Sequence, residues 1–411
     1  MAARRWIGAL AAMLTAASAA AAGPLQSQVA TATLQLPHAL EGGSASWCTW
    51  GQCYLGPRLY LAPRAGGSLL VGWTDSSGDG HVSVVAGEQI TTTHDFPDHK
   101  LRGLVAHGDG TYAVLLKEGV DLCLSKRAAN GSAVWTTYLN STTAEDSSPL
   151  GDHRLAYGGG RYAAYWAVHS FSGHEGDQLR YVNDAGAIVS GGWTWGCSHS
   201  MAELVGYHPQ DLTFTNFCST DCYPSPPGLK MNYSTTIFTG DGNCSGGVSL
   251  QLGQMAAAET GWKVVFSAVD TDDEPAYGIG LATAGGSAAR TVVWLTDTDG
   301  SQERDPVIAR IGTQLPERYL VGWRTISDGA FHLGVVSGSG TFLEGPEQLG
   351  APAPGWGMRD DSFRSLADGS VAWLEGSSGS STLKLHRYGS TMVFGDGFES
   401  GTASNWTSTN D

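Results

Sequence analysis

Positive charge is scarce in this sequence. Its 411 residues include 23 Lys and Arg against 39 Asp and Glu, which gives a formal net charge of −16. A protein that binds DNA or RNA needs a basic surface to neutralise phosphates, so we expect no nucleic-acid partner. An acidic balance of this kind mainly keeps an exported protein soluble.

Long hydrophobic runs and helical periodicity are also missing. Beyond the N-terminal residues there is no stretch of about 20 apolar residues, so we expect no membrane span. Apolar residues occur in short strand-like runs, and the 57 glycines suit many strands joined by tight turns. The sequence therefore predicts an all-β fold.

Familiar catalytic signatures are absent as well. The sequence contains no GxSxG elbow, HExxH pair, phosphate-binding loop or sialidase-type Asp box. It has no CxxC pair, which disfavours a metal site built from cysteines. Motifs alone leave open whether the protein is an enzyme.

The N-terminus predicts export. Residues 1–22 begin with a charged segment containing Arg4 and Arg5, continue through a short apolar stretch and end in Ala19–Ala22, which is typical of a cleaved signal peptide. We therefore expect a secreted protein, extracellular or periplasmic. Residues 23–44 are expected to be an N-terminal linker, 45–392 the folded domain and 393–411 a C-terminal tail.

A unit of roughly fifty residues repeats along the folded domain. Each copy has an upstream strand, a Gly-containing turn, a strongly apolar strand and two further strands. Four antiparallel strands repeated seven times predict a seven-bladed β-propeller of four-stranded antiparallel blades. Two β-sandwiches are the alternative, and the near-constant period disfavours them. The apolar strands are Ser68–Trp73, Tyr112–Leu116, Tyr162–Trp166, Leu212–Phe217, Trp262–Phe266, Tyr319–Trp323 and Ser370–Leu374.

Two sets of residues carry a resemblance to known sequences. The tail Phe394–Gly401, followed by Asn405-Trp406, resembles the GFESG-type ending of many exported bacterial proteins. The segments Gly173–Asp177, Trp195–Ser200 and Asp221–Pro224 resemble those of uncharacterised secreted bacterial β-propeller proteins. The resemblance implies a bacterial exported propeller and supplies no activity.

Seven cysteines in an exported protein predict disulfides with one thiol left over. Cys123 alternates with apolar residues in a predicted strand, so we expect it to be the buried free thiol. Spacing suggests the remaining pairs without proving them. These are Cys48–Cys53 and Cys218–Cys222 across short loops, and Cys197–Cys244 as a longer bridge.

In a propeller, one face carries the connections between successive blades and those between the second and third strands of each blade. We call this the loop face. His99, His153 and His199 lie at the expected starts of innermost strands, so they could converge there. Imidazoles and carboxylates around one opening could bind a divalent metal ion or supply an acid and a base. The alternative is that each caps its own strand.

The expected loops of blades three and four are the richest in polar side chains. The first runs from His169 to Asp177, and the second holds the pair Cys218 and Cys222, whose bond would stiffen it. Glycines in the first loop could equally mark a tight hairpin. The candidate ligand-binding residues are His169, His174, Glu175, Asp177, Trp195, Asp221, Tyr223 and Asp361.

Two acidic segments place oxygen-bearing side chains at alternating positions, as calcium loops do. Both lack the bidentate Glu of an EF-hand, and acidic hairpin turns are the alternative. Calcium or another divalent metal is thus a candidate cofactor. The candidate ligands are Asp75, Ser77 and Asp79 in the first segment and Asp297, Asp299 and Asp305 in the second.

Two functions follow as hypotheses. The first is a non-catalytic module that binds a glycan or cell-surface ligand through the loop face, where aromatic rings suit sugars. The second is a polysaccharide-degrading enzyme of the uronate lyase type, in which one of the three histidines removes a proton. A purely structural role is a third hypothesis, and we expect a monomer.

Overall fold

The seven repeated apolar segments each form the second strand of a four-stranded antiparallel sheet. The computed structural model thus confirms the seven-bladed β-propeller. It describes residues 24–41, 47–49, 52–54, 57–140, 149–169, 175–197, 202–240, 242–243, 247–248, 250–269, 277–296, 302–353, 355–356 and 362–389. None of the helices in these ranges is long and apolar enough to cross a membrane.

The described strands fall into blades in chain order, with two short hairpins outside them. Before blade 1 come β1 (Val29–Gln35), β2 (Trp47–Thr49) and β3 (Gln52–Tyr54). Blade 1 is β4 (Leu59–Pro63), β5 (Leu69–Thr74), β6 (Gly80–Ala86) and β7 (Gln89–Phe96). Blade 2 is β8 (Lys100–Ala106), β9 (Tyr112–Glu118), β10 (Asp121–Arg127) and β11 (Ala133–Tyr138). Blade 3 is β12 (Pro149–Gly158), β13 (Arg161–His169), β14 (Glu175–Asn183) and β15 (Ile188–Thr194).

The second half of the ring has the same plan. Blade 4 is β16 (Glu203–His208), β17 (Thr213–Thr220), β18 (Gly228–Met231) and β19 (Thr235–Thr239), followed by the hairpin of β20 (Gly242–Asn243) and β21 (Gly247–Val248). Blade 5 is β22 (Leu250–Ala257), β23 (Trp262–Val269), β24 (Tyr277–Ala284) and β25 (Thr291–Trp294). Blade 6 is β26 (Glu303–Ile311), β27 (Arg318–Thr325), β28 (Phe331–Ser337) and β29 (Phe342–Gln348), and blade 7 contains β30 (Arg364–Ser365), β31 (Val371–Gly376) and β32 (Thr382–Tyr388). Short 3-10 helices span Gln26–Gln28 and Ala65–Gly67.

The N-terminal segment closes the ring. Strand β1 pairs antiparallel with β32 from Val29↔Tyr388 to Gln35↔Thr382, so it is the outermost strand of blade 7. Residues 23–44 are therefore not a linker, and a domain boundary at residue 45 lies too late. Sharing one blade between the two ends of the chain hides strand edges that would otherwise be open.

The core lies between blades. A separate cluster of buried apolar residues fills each junction, from blades 7 and 1 around to blades 6 and 7. Trp73, Trp166, Trp323 and Trp373 are almost fully buried, as their mid-strand positions predict. The innermost strands contact one another around the axis, with β30 against β4 at the closure. Side chains near the start of each innermost strand therefore lie toward the loop face.

Candidate functional site

The histidines expected to converge on the loop face have different environments. His99 lies between β7 and β8, with Nδ1 2.6 Å from the Pro97 carbonyl oxygen and Nε2 3.6 Å from Glu118 Oε2. His153 lies within β12 opposite Trp166 and is only 2% exposed. His199 lies outside the described residues. Burial of His153 removes it from the accessible surface, so it is not placed to act as a base on a polymer.

Carboxylates at the starts of the innermost strands are committed to neighbouring groups. Asp152 and Asp305 both lie at β-bulges, where an extra residue redirects the side chain. Asp152 Oδ1 is 2.9 Å from the Arg154 guanidinium. Asp305 Oδ1 accepts a hydrogen bond from Gln251 Nε2 at 2.9 Å, and Oδ2 is 2.8 Å from Arg324. These carboxylates join strands and blades, which supports the strand-capping alternative.

Asp177, a candidate ligand-binding residue, is instead a buried anchor. It has no exposed surface, and its carboxylate accepts hydrogen bonds from the Tyr165 hydroxyl, from Trp193 Nε1 at 3.1 Å and from the Gly196 N–H at 2.8 Å. Those donors tie the connection after β15 to blade 3. The expectation that Asp177 contacts a ligand is therefore wrong, because the protein itself occupies all of its surroundings.

Burial also changes the pKa of the Asp177 carboxyl group. Removal from water raises the pKa of Asp177 to about 6, although the hydrogen bonds from Tyr165, Trp193 and the backbone act in the opposite direction. The same burial, reinforced by the nearby Asp177 and Glu203, raises the pKa of Tyr165 well above its usual value. Tyr165 therefore stays protonated and remains a donor to Asp177.

The other candidate ligand-binding residues near blades 3 and 4 differ in how exposed they are. Tyr223 is 65% exposed, whereas Asp221 is buried and accepts a hydrogen bond from the Cys222 N–H at 2.6 Å. Trp195 is half-buried against the cluster between blades 2 and 3. Of this set, Tyr223 is the side chain placed at the surface. His174 and Asp361 lie outside the described residues, as do the side chains of His169 and Glu175.

The disulfides differ from the spacing-based pairs. Cys197 is bonded to Cys218, which joins the connection after β15 to strand β17 of the next blade. This bond rules out both Cys197–Cys244 and Cys218–Cys222. Proximity in sequence misled the prediction because a propeller brings blade edges together across whole repeats. Cys123 is a buried free thiol, as predicted.

The remaining cysteines are described less fully. Cys222 is disulfide-bonded as well, and Cys244 lies outside the described residues. The backbones of Cys48 and Cys53 face each other in the β2–β3 hairpin. A Cys48–Cys53 bond stays a prediction.

The first of the two acidic loops is a self-capped turn. Asp75 Oδ1 accepts hydrogen bonds from the Ser77 N–H at 2.8 Å, the Ser77 hydroxyl at 2.7 Å and the Asp79 N–H at 3.0 Å. Asp79 Oδ1 accepts a further one from the Asp98 N–H at 2.7 Å. The Ser77 hydroxyl also lies 3.4 Å from Asp79 Oδ2, so the oxygens of this loop are engaged with donors of the turn itself. This supports the acidic-turn alternative, and Asp297 and Asp299 of the second loop lie outside the described residues.

The Asp75 carboxylate is nevertheless firmly ionised. Burial acts to raise its pKa, but hydrogen bonds, led by that from the Ser77 hydroxyl, outweigh burial and lower the pKa to about 2. The charge is therefore present throughout the physiological pH range.

A cavity of about 320 Å³ lies on the propeller axis. It is lined by the later residues of the innermost strands of blades 1 to 5, so it lies at the end of the channel away from the loop face. Most of its lining residues are aliphatic, such as Leu61, Leu104 and Leu155. Tyr157, Tyr207, Trp262 and Arg364 supply aromatic rings and a positive charge.

Sequence reasoning did not find this cavity. Its lining consists mainly of runs of consecutive residues, such as Leu61–Pro63 and Leu104–Ala106. Apolar residues of the same types pack between blades, so no local pattern distinguishes them. Arg364 is fixed at the wall by a hydrogen bond from its Nε to the Leu61 carbonyl oxygen at 3.1 Å, across the closure of the ring. Only the closed ring brings these residues together.

No family model matches this chain, and no curated protein matches it. It is similar to solved structures at low identity. One is a mutant Aleuria aurantia lectin in complex with Fucα1-6GlcNAc, with 14% identity, 82% of this chain and 94% of that chain covered and a TM-score of 0.43. Another is a Penicillium chrysogenum α-L-arabinanase complexed with arabinobiose, with 10% identity, 85% and 98% covered and a TM-score of 0.45. The Dos1 propeller has 11% identity, 87% and 82% covered and a TM-score of 0.47.

Proposed function

We propose that the protein is a secreted carbohydrate-binding propeller that holds one acidic sugar unit in its axial cavity. The observation that carries this proposal is the combination of Tyr157, Tyr207, Trp262 and Arg364 in a cavity of about 320 Å³. A volume of this size is within the range of small-ligand sites. The proposed binding site is therefore the axial cavity, not the loop face that the sequence predicts.

The chemistry of the wall suits a sugar with a carboxylate. Aromatic rings pack against the apolar face of a pyranose, and the polar part of the wall can pair with its hydroxyl groups. Arg364 supplies a permanently charged planar group, which recognises carboxylates in a fixed geometry. A uronic or sialic acid unit therefore fits better than a neutral sugar of the same size.

Binding is favoured over cleavage because of what the cavity wall contains. Hydrolysis of a glycoside uses two carboxyl groups on either side of the bond, and a lyase needs a base near the acidic carbon. None of the described residues lining the cavity is Asp, Glu or His. On the loop face, burial removes His153 as a base, while His99 is partly exposed and lies beside Glu118.

The net charge of the chain also limits the length of acidic glycan that can bind. A formal charge of −16 repels a long polyanion beyond the cavity. A short glycan, or a chain with one terminal acidic unit, avoids most of that repulsion while reaching Arg364. Export agrees with this role: the Cys197–Cys218 disulfide suits an oxidising compartment, and the predicted signal peptide would deliver the chain to one.

The test is calorimetric titration of the protein with glucuronic, galacturonic and sialic acids and with their neutral counterparts. We expect the acidic sugars to bind, and Arg364→Met to weaken that binding about 10- to 100-fold, as loss of a charge-assisted hydrogen bond predicts. Arg290→Met, at an exposed arginine away from the cavity, is the matched control and should bind normally. Equal binding by Arg364→Met and wild type, or no sugar binding at millimolar concentration, would overturn the proposal.

A further inference from the structure

A tryptophan–histidine pair recurs in three consecutive blades. The second-strand tryptophan lies opposite a third-strand histidine in Trp73↔His81, Trp323↔His332 and Trp373↔His386. The rings stack, with centroids 5.2, 5.4 and 5.2 Å apart in that order. The shared position shows that stacking on tryptophan is a structural feature of blades 6, 7 and 1. Any additional role must come from what surrounds one member of the set.

In blades 6 and 7, ordinary hydrogen bonds occupy the histidine. His332 Nε2 is 3.0 Å from the Thr325 hydroxyl. His386 uses both ring nitrogens, with Nε2 2.9 Å from Glu375 Oε2 and Nδ1 2.8 Å from the Thr31 hydroxyl. These two histidines therefore have structural partners of their own.

The blade 1 histidine makes the equivalent Nε2 contact, with the side chain two residues after the tryptophan, and has a second imidazole beside it. His81 is 2% exposed, and its Nε2 is 3.0 Å from Asp75 Oδ2. Within the described part of the chain, Asp75 is the one polar group in contact with this buried nitrogen. His38 stacks on the opposite side, with centroids 4.5 Å apart and planes 9° from parallel. One ligand atom from each of His38, Asp75 and His81 lies within 4.8 Å of the others.

Neighbouring groups orient these ligand atoms. The other ring nitrogen of His81, Nδ1, is 2.8 Å from Asp95 Oδ1. A proton on Nδ1 leaves a lone pair on Nε2, and such a carboxylate–histidine contact is typical of histidines that bind metal ions. The hydrogen bonds from Ser77 and Asp79 occupy Asp75 Oδ1 and leave Oδ2 facing His81. In that tautomer the Nε2 lone pair faces Asp75 Oδ2, so a cation between them would be bound by both atoms.

We propose that His38, Asp75 and His81 bind a divalent transition-metal ion of the zinc class. Two imidazoles and one carboxylate are the ligands that Zn²⁺ prefers over Ca²⁺. Tetrahedral zinc holds its ligand atoms about 3.4 Å apart, close to the 3.0 Å between His81 Nε2 and Asp75 Oδ2. Because imidazole lone pairs lie in the ring plane, the exposed His38 ring turns out of its stack on His81 to point a nitrogen at the ion, and water fills the fourth position.

The position of this site ties together the two ends of the ring. His38 follows β1 of blade 7, whereas Asp75 and His81 belong to the β5–β6 turn and strand β6 of blade 1. The Leu40↔Asp75 bridge already holds the N-terminal segment against that turn. A bound ion adds a second link at the same seam, so the metal stabilises ring closure. Ligand binding in the axial cavity is a separate property.

The test uses the tag-free mature protein, stripped with chelator and titrated with ZnCl₂ by calorimetry, with metal content measured by mass spectrometry. We expect one Zn²⁺ per chain, a higher Tm with zinc than without, and a visible d–d spectrum when Co²⁺ replaces zinc. Asp95→Asn should weaken zinc binding about 10- to 100-fold, and His38→Ala should weaken it more.

The matched controls are His332→Gln, at the equivalent stacked position of blade 6, and His99→Gln, at another partly exposed histidine. Both should bind zinc as the wild type does. The proposal fails if the wild type takes up no zinc, or if His38→Ala binds as tightly as the wild type. Because His38 is exposed, its replacement tests the site without disturbing the fold, and an unchanged Tm without metal verifies this.

Discussion

Two clusters of potential metal ligands lie on the loop face, and their lone pairs have different partners. In Asp177–Cys197–Cys218 the sulfur atoms are bonded to each other, and the carboxylate accepts several hydrogen bonds. In His38–Asp75–His81 a buried nitrogen lies 3.0 Å from a carboxylate oxygen, and none of the three ligand atoms is covalently bonded to another residue. Residue type alone does not separate them. The bonding of the ligand atoms does, because sulfur atoms joined in a disulfide are not thiolates and do not bind a metal ion.

The two junctions also differ in how they are held. Among the described residues, the apolar cluster between blades 3 and 4 is smaller than the cluster between blades 7 and 1. Less buried apolar area means a weaker hydrophobic contribution, so the disulfide and Asp177 supply cohesion between blades 3 and 4. The seam between blades 7 and 1 has a larger core and leaves its polar cluster available for a ligand.

The largest expected effect comes from removing the Cys197–Cys218 bond. A double Cys197→Ser, Cys218→Ser variant should lose about 3 kcal/mol of unfolding free energy, as expected for a loop of this length. The bond joins residues 21 apart in sequence. Urea denaturation would measure the loss, with Cys123→Ala as a control that removes only the free thiol. If the junction does not depend on the bond, the double variant will unfold at the same urea concentration as wild type.

The next effect is a pH dependence at the same junction. The pKa of Asp177 is about 6 in the folded protein and about 3.9 in an unfolded chain. Between pH 4 and 6, Asp177 is ionised in the unfolded chain but still protonated in the folded protein. Rising pH therefore favours the unfolded chain and lowers the free energy of unfolding, by up to about 3 kcal/mol above pH 6. Asp177→Asn stays neutral and should therefore gain stability relative to wild type as pH rises from 4 to 7.

Urea denaturation across that pH range measures the Asp177 difference. Asp328→Asn, at an exposed acidic turn residue, should follow the wild-type pH profile. A constant difference between wild type and Asp177→Asn at all pH values would show that Asp177 ionises normally in the folded protein.

The smallest expected changes in stability are at the junction between blades 7 and 1 in the absence of metal. Asp75→Ala should cost about 1–2 kcal/mol, since the turn donors of Ser77 and Asp79 lose their acceptor. His38→Ala should change stability by less than about 0.5 kcal/mol, because the side chain is exposed. Thermal denaturation in chelator compares the two. A large loss in His38→Ala without metal would mean that this histidine is structural, contrary to the comparison above.

Sequence patterns predicted the elements of the fold well and the site poorly. The Trp73 and Trp323 strands were found because apolar alternation and the repeat length are visible locally. Asp177 was assigned to a ligand because nothing in its own segment shows that Tyr165 and Trp193 surround it. His81 was overlooked, although its recurrent place opposite a tryptophan was the available signal.

The sequence by itself determined the β-rich architecture, the number of blades and the burial of the four strand tryptophans and of Cys123, because each depends on alternation and repeat length along the chain. Only the tertiary structure decided that β1 completes blade 7, that Cys197 pairs with Cys218, and that His38 meets Asp75 and His81. These contacts join residues from different blades, and their geometry exists only once the ring has closed.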